Sequence, residues 1–176
     1  MPRSSLTPQT GTPTTRFSIS DIEGSYAFRF SGFTMLNNIL YHLSGLGNFD
    51  IVANGRRRGR LTGRQRSSIT PLQGQKASLE KATYDLSGTM TLGPDGTGDA
   101  DVDFQETSGR KLDGYFRSKL KGYFYVLVAG SPDRLWLVSS GATVLSSGAT
   151  VPPIPAGTPA DELVNVEAIR IPQPNP

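Results

Sequence analysis

Hydrophobic and polar positions alternate with a period of two along most of the chain between residues 21 and 171, the pattern of half-buried strands. Residues 25–33 place Tyr26, Phe28 and Phe30 on one face, with Ala27, Arg29 and Ser31 on the other. Residues 39–52 line up Ile39, Tyr41, Leu43, Phe49 and Ile51, with Gly45 and Gly47 in the same row. The segment 57–69 sets Arg58, Arg60, Arg64 and Arg66 against Leu61, Gly63, Gln65 and Ile69. Residues 82–92 again alternate, with Ala82, Tyr84, Leu86, Met90 and Leu92 together. Ala100, Val102 and Phe104 then oppose Asp99, Asp101 and Asp103. Further strands are predicted over 111–120, 123–129, 134–140 and 163–171, for about nine in all. Only 35–38 and 75–81 read as short helical pieces.

Turn chemistry separates these runs. Asn54-Gly55 is a strong hairpin signal, because both residues tolerate positive φ. Gly93-Pro94-Asp95-Gly96, Lys121-Gly122 and Ser131-Pro132-Asp133 are read as the next joints, and 141–159 as a Pro- and Gly-rich connection. The chain holds 20 Gly and 13 Pro in 176 residues, about 19% against a usual level of about 12%. That excess suits a fold rich in turns and opposes a helical bundle. Strands with one apolar face must bury those faces against each other, and closing the sheet also removes both edges. The expected fold is therefore all-β, an antiparallel up-and-down β-barrel of about eight to nine strands, with a two-sheet β-sandwich as the alternative. The domain is placed at 21–171, between tails at 1–20 and 172–176. Tyr41-His42-Leu43-Ser44-Gly45 echoes Tyr84-Asp85-Leu86-Ser87-Gly88, as similar hairpins do.

Ile22-Glu23-Gly24-Ser25-Tyr26, opening the first strand, resembles the Gly-x-Trp start of lipocalin-type barrels, with Tyr in place of Trp. The glycine-punctuated meander from Tyr41 to Phe104 is similar to allene-oxide-cyclase-like barrels. The resemblance covers roughly residues 22–140. It implies a hydrophobic ligand in the barrel mouth, bound or rearranged.

The inferred inward row is aromatic, and such a lining fits an apolar ligand oriented by a few polar groups. Tyr41, Tyr84 and Gln65 are the candidate catalytic or polar contacts, able to polarise a carbonyl. Tyr26, Phe28, Phe30, Phe49, Met90, Phe104 and Phe116 are the candidate ligand-binding residues. The same side chains could instead fill a solid core. The function expected is binding of a small hydrophobic molecule, either in a cofactor-free cyclase or isomerase or in a carrier without turnover. Cysteine is absent, which removes disulfides, thiolate nucleophiles and zinc–thiolate sites, and one histidine, His42, leaves no multi-histidine metal site. No metal and no cofactor are expected.

Net charge is +3, but its distribution matters more than its sum. Six arginines lie between Arg56 and Arg66, and an acidic group (Asp95, Asp99, Asp101, Asp103, Glu106) follows. The arginine strand is the rival site, for nucleic acid or another polyanion. Nucleic acid is disfavoured, because that face interleaves no aromatic for base stacking. Asp99-x-Asp101-x-Asp103 lacks the Gly and Glu of a calcium-binding loop and reads as a solvated face. Residues 123–128 and 135–138, with Trp136, are apolar on both faces, so either the 151–159 segment or a second subunit should cover them. No run is long and apolar enough to span a membrane as a helix and residues 1–16 have no signal-peptide core, so the expected location is cytoplasmic.

Overall fold

The computed structural model describes residues 16–36, 39–72, 80–109, 119–146 and 155–172. A short 3-10 helix (Ile19–Ile22) leads into β1 (Gly24–Leu36), β2 (Ile39–Ala53), β3 (Arg58–Pro71) and β4 (Glu80–Leu92). They are followed by β5 (Thr97–Gly109), β6 (Lys119–Val128), β7 (Arg134–Ser146) and β8 (Pro159–Arg170). Each strand pairs antiparallel with the next and β8 returns to β1, giving a closed eight-stranded up-and-down barrel. The sandwich alternative is thereby removed. Alternation sorts the wall as the period of two requires: Tyr26, Phe28, Phe30, Phe49, Leu61, Tyr84, Leu86 and Met90 are buried, while Arg58, Arg60, Arg64 and Arg66 are exposed.

Three joints match their turn chemistry. Residues 54–57, 93–96 and 129–133 close hairpins at one end, and Gly55, Gly96 and Gly130 sit at φ 97°, 84° and 76°. Two expected breaks are not breaks. Lys121-Gly122 lies inside β6, not in a turn. Gly122 is there because its hydrogen faces inward, where a Cβ would lie 2.9 Å from the rings of both Phe104 and Phe124. Gly141 does not end β7, which runs on to Ser146. It forms a bulge at φ 136° that shifts the register against β8 between Val138 and Ala142. The expected helical piece at 35–38 is also corrected where it can be seen, since Met35 and Leu36 pair with Leu40 and Ile39 as strand. Of the other helical piece, Glu80 and Lys81 begin β4, and 75–79 lie outside the described residues. The strand expected over 111–120 lies outside them too, apart from Lys119 and Leu120 at the start of β6.

The hairpin end is plugged. Ile19 and Ile22 of the 3-10 helix are fully buried, so the segment read as a tail through residue 20 supplies part of the core. The Asp21 carboxylate accepts from the Ser18 N–H and hydroxyl, fixing the turn. Phe17 N–H donates to the Pro94 carbonyl and Ile19 N–H to the Arg56 carbonyl, tying the lead to two hairpins. Above it lies Tyr26, with Arg170 across its ring at 5.6 Å.

Phe28 and Phe30 lie flat along the wall instead of crossing the lumen. A Cβ at Gly47 would meet the Phe28 ring at 2.7 Å, and one at Gly45 the Phe30 ring at 2.6 Å. The neighbouring strand therefore offers each ring a glycine to rest on. Gly47→Ala should lift Phe28 into the lumen and also crowd the Arg64 carbonyl, lowering stability by about 1–3 kcal/mol. Urea unfolding of the variant against the parent checks this, and an unchanged midpoint would sink it.

Candidate functional site

Small inward residues and wall-hugging rings leave a cavity of about 110 Å³ within the barrel. An eight-stranded barrel has room either to fill its interior or to hold one small ligand, and here part of the space stays open. The walls include Phe28, Phe30, Phe49, Phe104, Phe124 and Leu137. Phe104 and Phe124 meet at 6.3 Å between centroids, and Phe28 and Phe49 at 5.5 Å. Ala142 and Ala160, directly opposed on β7 and β8, line the cavity with methyl groups only.

Polar groups are few and lie in the middle and in the half away from the plug. Gln65, Tyr84 and Glu106 are direct partners across β3, β4 and β5, forming one inward row. Gln65 Nε2 donates to the Ser67 hydroxyl at 3.1 Å. Burial, and then the Glu106 carboxylate, push the Tyr84 hydroxyl far above its ordinary pKa, so it stays protonated and acts only as a neutral hydroxyl. Half a turn around the ring, on β8, Glu162 also lines the cavity. Thr34 of β1 lies directly opposite it in the ladder. Ser139 Oγ donates to Glu162 Oε2 at 3.2 Å and accepts from the Gly141 N–H at 3.2 Å. The β7 bulge thus aims the serine at the carboxyl. Burial pushes the Glu162 carboxyl up to about 7, with the Ser139 bond pulling weakly the other way.

Of the residues singled out in the sequence, Gln65, Tyr84, Phe28, Phe30, Phe49 and Phe104 line this cavity. Tyr41 is buried beside it, in a cluster with Ile69, Ala142, Val144 and Ala160, and is not in the cavity lining. Tyr26 and Met90 are fully buried in the core below, outside the lining. Phe116 lies outside the described residues. Glu162 escaped the sequence reading, and Glu106 entered it only as a member of the acidic group. The signal for Glu162 was present: Ala160, Val164, Val166 and Ala168 form one row, and the row passes through Glu162. A last strand begun at Leu163 stopped just short of it.

His42 is on the outer wall, its Nε2 3.4 Å from Ser31 Oγ and its ring edge-on to Phe33 at 5.4 Å. The arginine row is outside as well, with Arg64 paired to Asp85 at 2.8 Å. The acidic row of β5 is met by Lys121, 3.3 Å from Asp101. No group of three or more metal-ligating side chains occurs among the described residues. Tyr125, Leu127, Trp136 and Val138 form an exposed patch on β6 and β7. Asp99 stands between Arg58 and Tyr125 in the outer ladder by way of Thr91, so arginines and aromatics are not interleaved. No helix among the described residues is long and apolar enough to cross a membrane.

Fold and site together define a class: a closed up-and-down barrel with an internal, mostly apolar cavity and one carboxyl in its wall. No model of a known protein family matches the chain, and no curated protein is similar to it.

The raised pKa gives a pH signature. A carboxyl moved from about 4.5 to about 7 on folding stabilises the barrel fully below pH 4.5, and this contribution is lost as pH rises through 7. The loss is on the order of 3 kcal/mol. Glu162→Gln should match the parent at pH 4 and exceed it at pH 8. Equal melting temperatures at pH 8 would place the Glu162 carboxyl in water.

Proposed function

We propose that the protein binds a small, largely apolar molecule inside the barrel. The observation that carries this reading is the cavity itself, walled by aromatic and aliphatic side chains with a handful of polar groups, the usual make-up of a small-molecule site. Its volume of about 110 Å³ is near that of the roughly 150 Å³ apolar cavity that accepts benzene. It is well below the roughly 300–1,000 Å³ of drug-sized sites. The enclosed part of the ligand is therefore of single-ring size. The resemblance of Gly24-Ser25-Tyr26 to the opening of lipocalin-type barrels agrees with this reading, and the closed eight-stranded architecture supports it only at the level of fold.

A catalytic version of the same site is a cofactor-free isomerase or cyclase. The observation favouring it is the direct opposition of Gln65 and Tyr84 in the cavity wall, where an amide N–H and a neutral hydroxyl can face one ligand oxygen. Product formation separates that version from a carrier.

The binding reading is tested by filling the cavity. The parent should bind ethylbenzene saturably at one site, measured by calorimetry. Ala160→Leu should weaken that binding about tenfold or more while the barrel stays folded. Unaltered binding in the variant would move the ligand elsewhere.

A further inference from the structure

We propose that the cavity takes an apolar ligand bearing one basic nitrogen, a primary or secondary amine on a ring-sized hydrocarbon body, with Glu162 as its counter-ion. This rests on the reading of the cavity as a small-molecule site and adds the chemical class of the ligand. The charge inventory leads to it. Among the described residues, no Lys, Arg or His lines the cavity, whereas Glu162 does. A second acid, Glu106, faces the same way from the position opposite Tyr84. Arg170, on the inward row of β8, is held at the plug by Tyr26, the Asp21 carbonyl and the Asp133 carboxylate, 3.2 Å away.

Among the described residues, the groups packed around Glu162 carry no positive charge. On β7 its neighbours are Ser139 and Ala142, and on β1 Thr34. Across the lumen stand Tyr84 and Glu106, with Tyr41 of β2 in the adjoining cluster. A carboxylate in apolar surroundings is costly unless paired with a cation, so an ammonium entering the cavity gains what the protein withholds. The hydroxyls of Thr34 and Ser139 offer lone pairs to further N–H groups. A carboxylate ligand meets the opposite situation, an acid in the wall and no cation among the described lining residues. The same geometry couples binding to protons. Where burial keeps Glu162 protonated, below about pH 7, the incoming ammonium must displace that proton. Affinity for an amine then rises about tenfold per pH unit well below 7, flattens as pH passes 7 and stays level until the amine itself loses its proton.

Calorimetric titration of the full chain with benzylamine, ethylbenzene and benzoate tests this. About half a unit above pH 7, benzylamine should bind most tightly and benzoate least. Benzylamine affinity should fall about 50-fold between pH 7 and 5 while ethylbenzene stays level. Glu162→Gln should weaken benzylamine about tenfold or more, remove its pH slope and spare ethylbenzene. The parent's pH profile decides the matter even if that variant misfolds. Benzoate binding as tightly as benzylamine, or a flat benzylamine profile, overturns the amine assignment and leaves the cavity reading standing if ethylbenzene binds. Failure of all three to bind folded protein overturns both.

Discussion

The contact on which the barrel depends is that between Tyr26 and Arg170. Tyr26 is near the start of β1 and Arg170 ends β8, so their pairing closes the seam between the first and last strands. The guanidinium lies over the tyrosine ring and donates to its hydroxyl at 3.1 Å. That hydroxyl also lies 2.9 Å from the Ile22 carbonyl and 2.8 Å from the Pro132 carbonyl. One phenol and one guanidinium therefore join the 3-10 helix, the seam and the β6–β7 turn. A cation at the bottom of an apolar barrel is tolerable because Asp133 and the Asp21 carbonyl satisfy it. With that end sealed by groups committed to one another, the polar side chains that line the cavity among the described residues fall above it.

The cavity follows from a division of labour among inward residues. Large side chains crowd the plug, where Ile19, Ile22, Tyr26, Met90, Leu92 and Leu135 are essentially inaccessible. Higher up, glycine, alanine and serine take the inward positions, and the phenylalanines rest on glycines of the next strand. Rings held against the wall give apolar surface without obstructing the lumen. A barrel built only for stability would fill that space, since each void forfeits dispersion contacts. It would also place no carboxyl there.

The fold was legible because period two assigns a whole strand to one face or the other, and a single row of Tyr26, Phe28 and Phe30 orients its neighbours. The misreadings concern glycine and strand ends. Gly122 and Gly141 carry the same letter as a turn glycine, yet one makes room for two rings and the other forms a bulge. Only the neighbouring strand distinguishes these roles, and alternation within one segment carries no information about it. Gln65 and Tyr84 were visible as polar members of an apolar row. Their adjacency depends on the β3–β4 register, which fixes Gln65 against Tyr84. Glu162 lay one residue beyond an assigned boundary, where an acidic residue near a proline looks like loop.

Glu162 also explains why the bulge in β7 is placed where it is. Regular pairing would let Ser139 continue the alternation beside β8 without special aim. Ser140 is the extra residue there, and Gly141 after it turns its N–H toward Ser139 Oγ, so the hydroxyl accepts there and spends its proton on Glu162. One hydroxyl is a weak partner for a carboxylate, enough to orient it and too little to keep it ionised, which is why burial dominates its proton affinity. The arrangement fixes a carboxyl in position while leaving its charge to be settled by whatever enters the cavity. A fully satisfied ion pair at the same place would have been more rigid, and it would have had nothing left to offer a ligand.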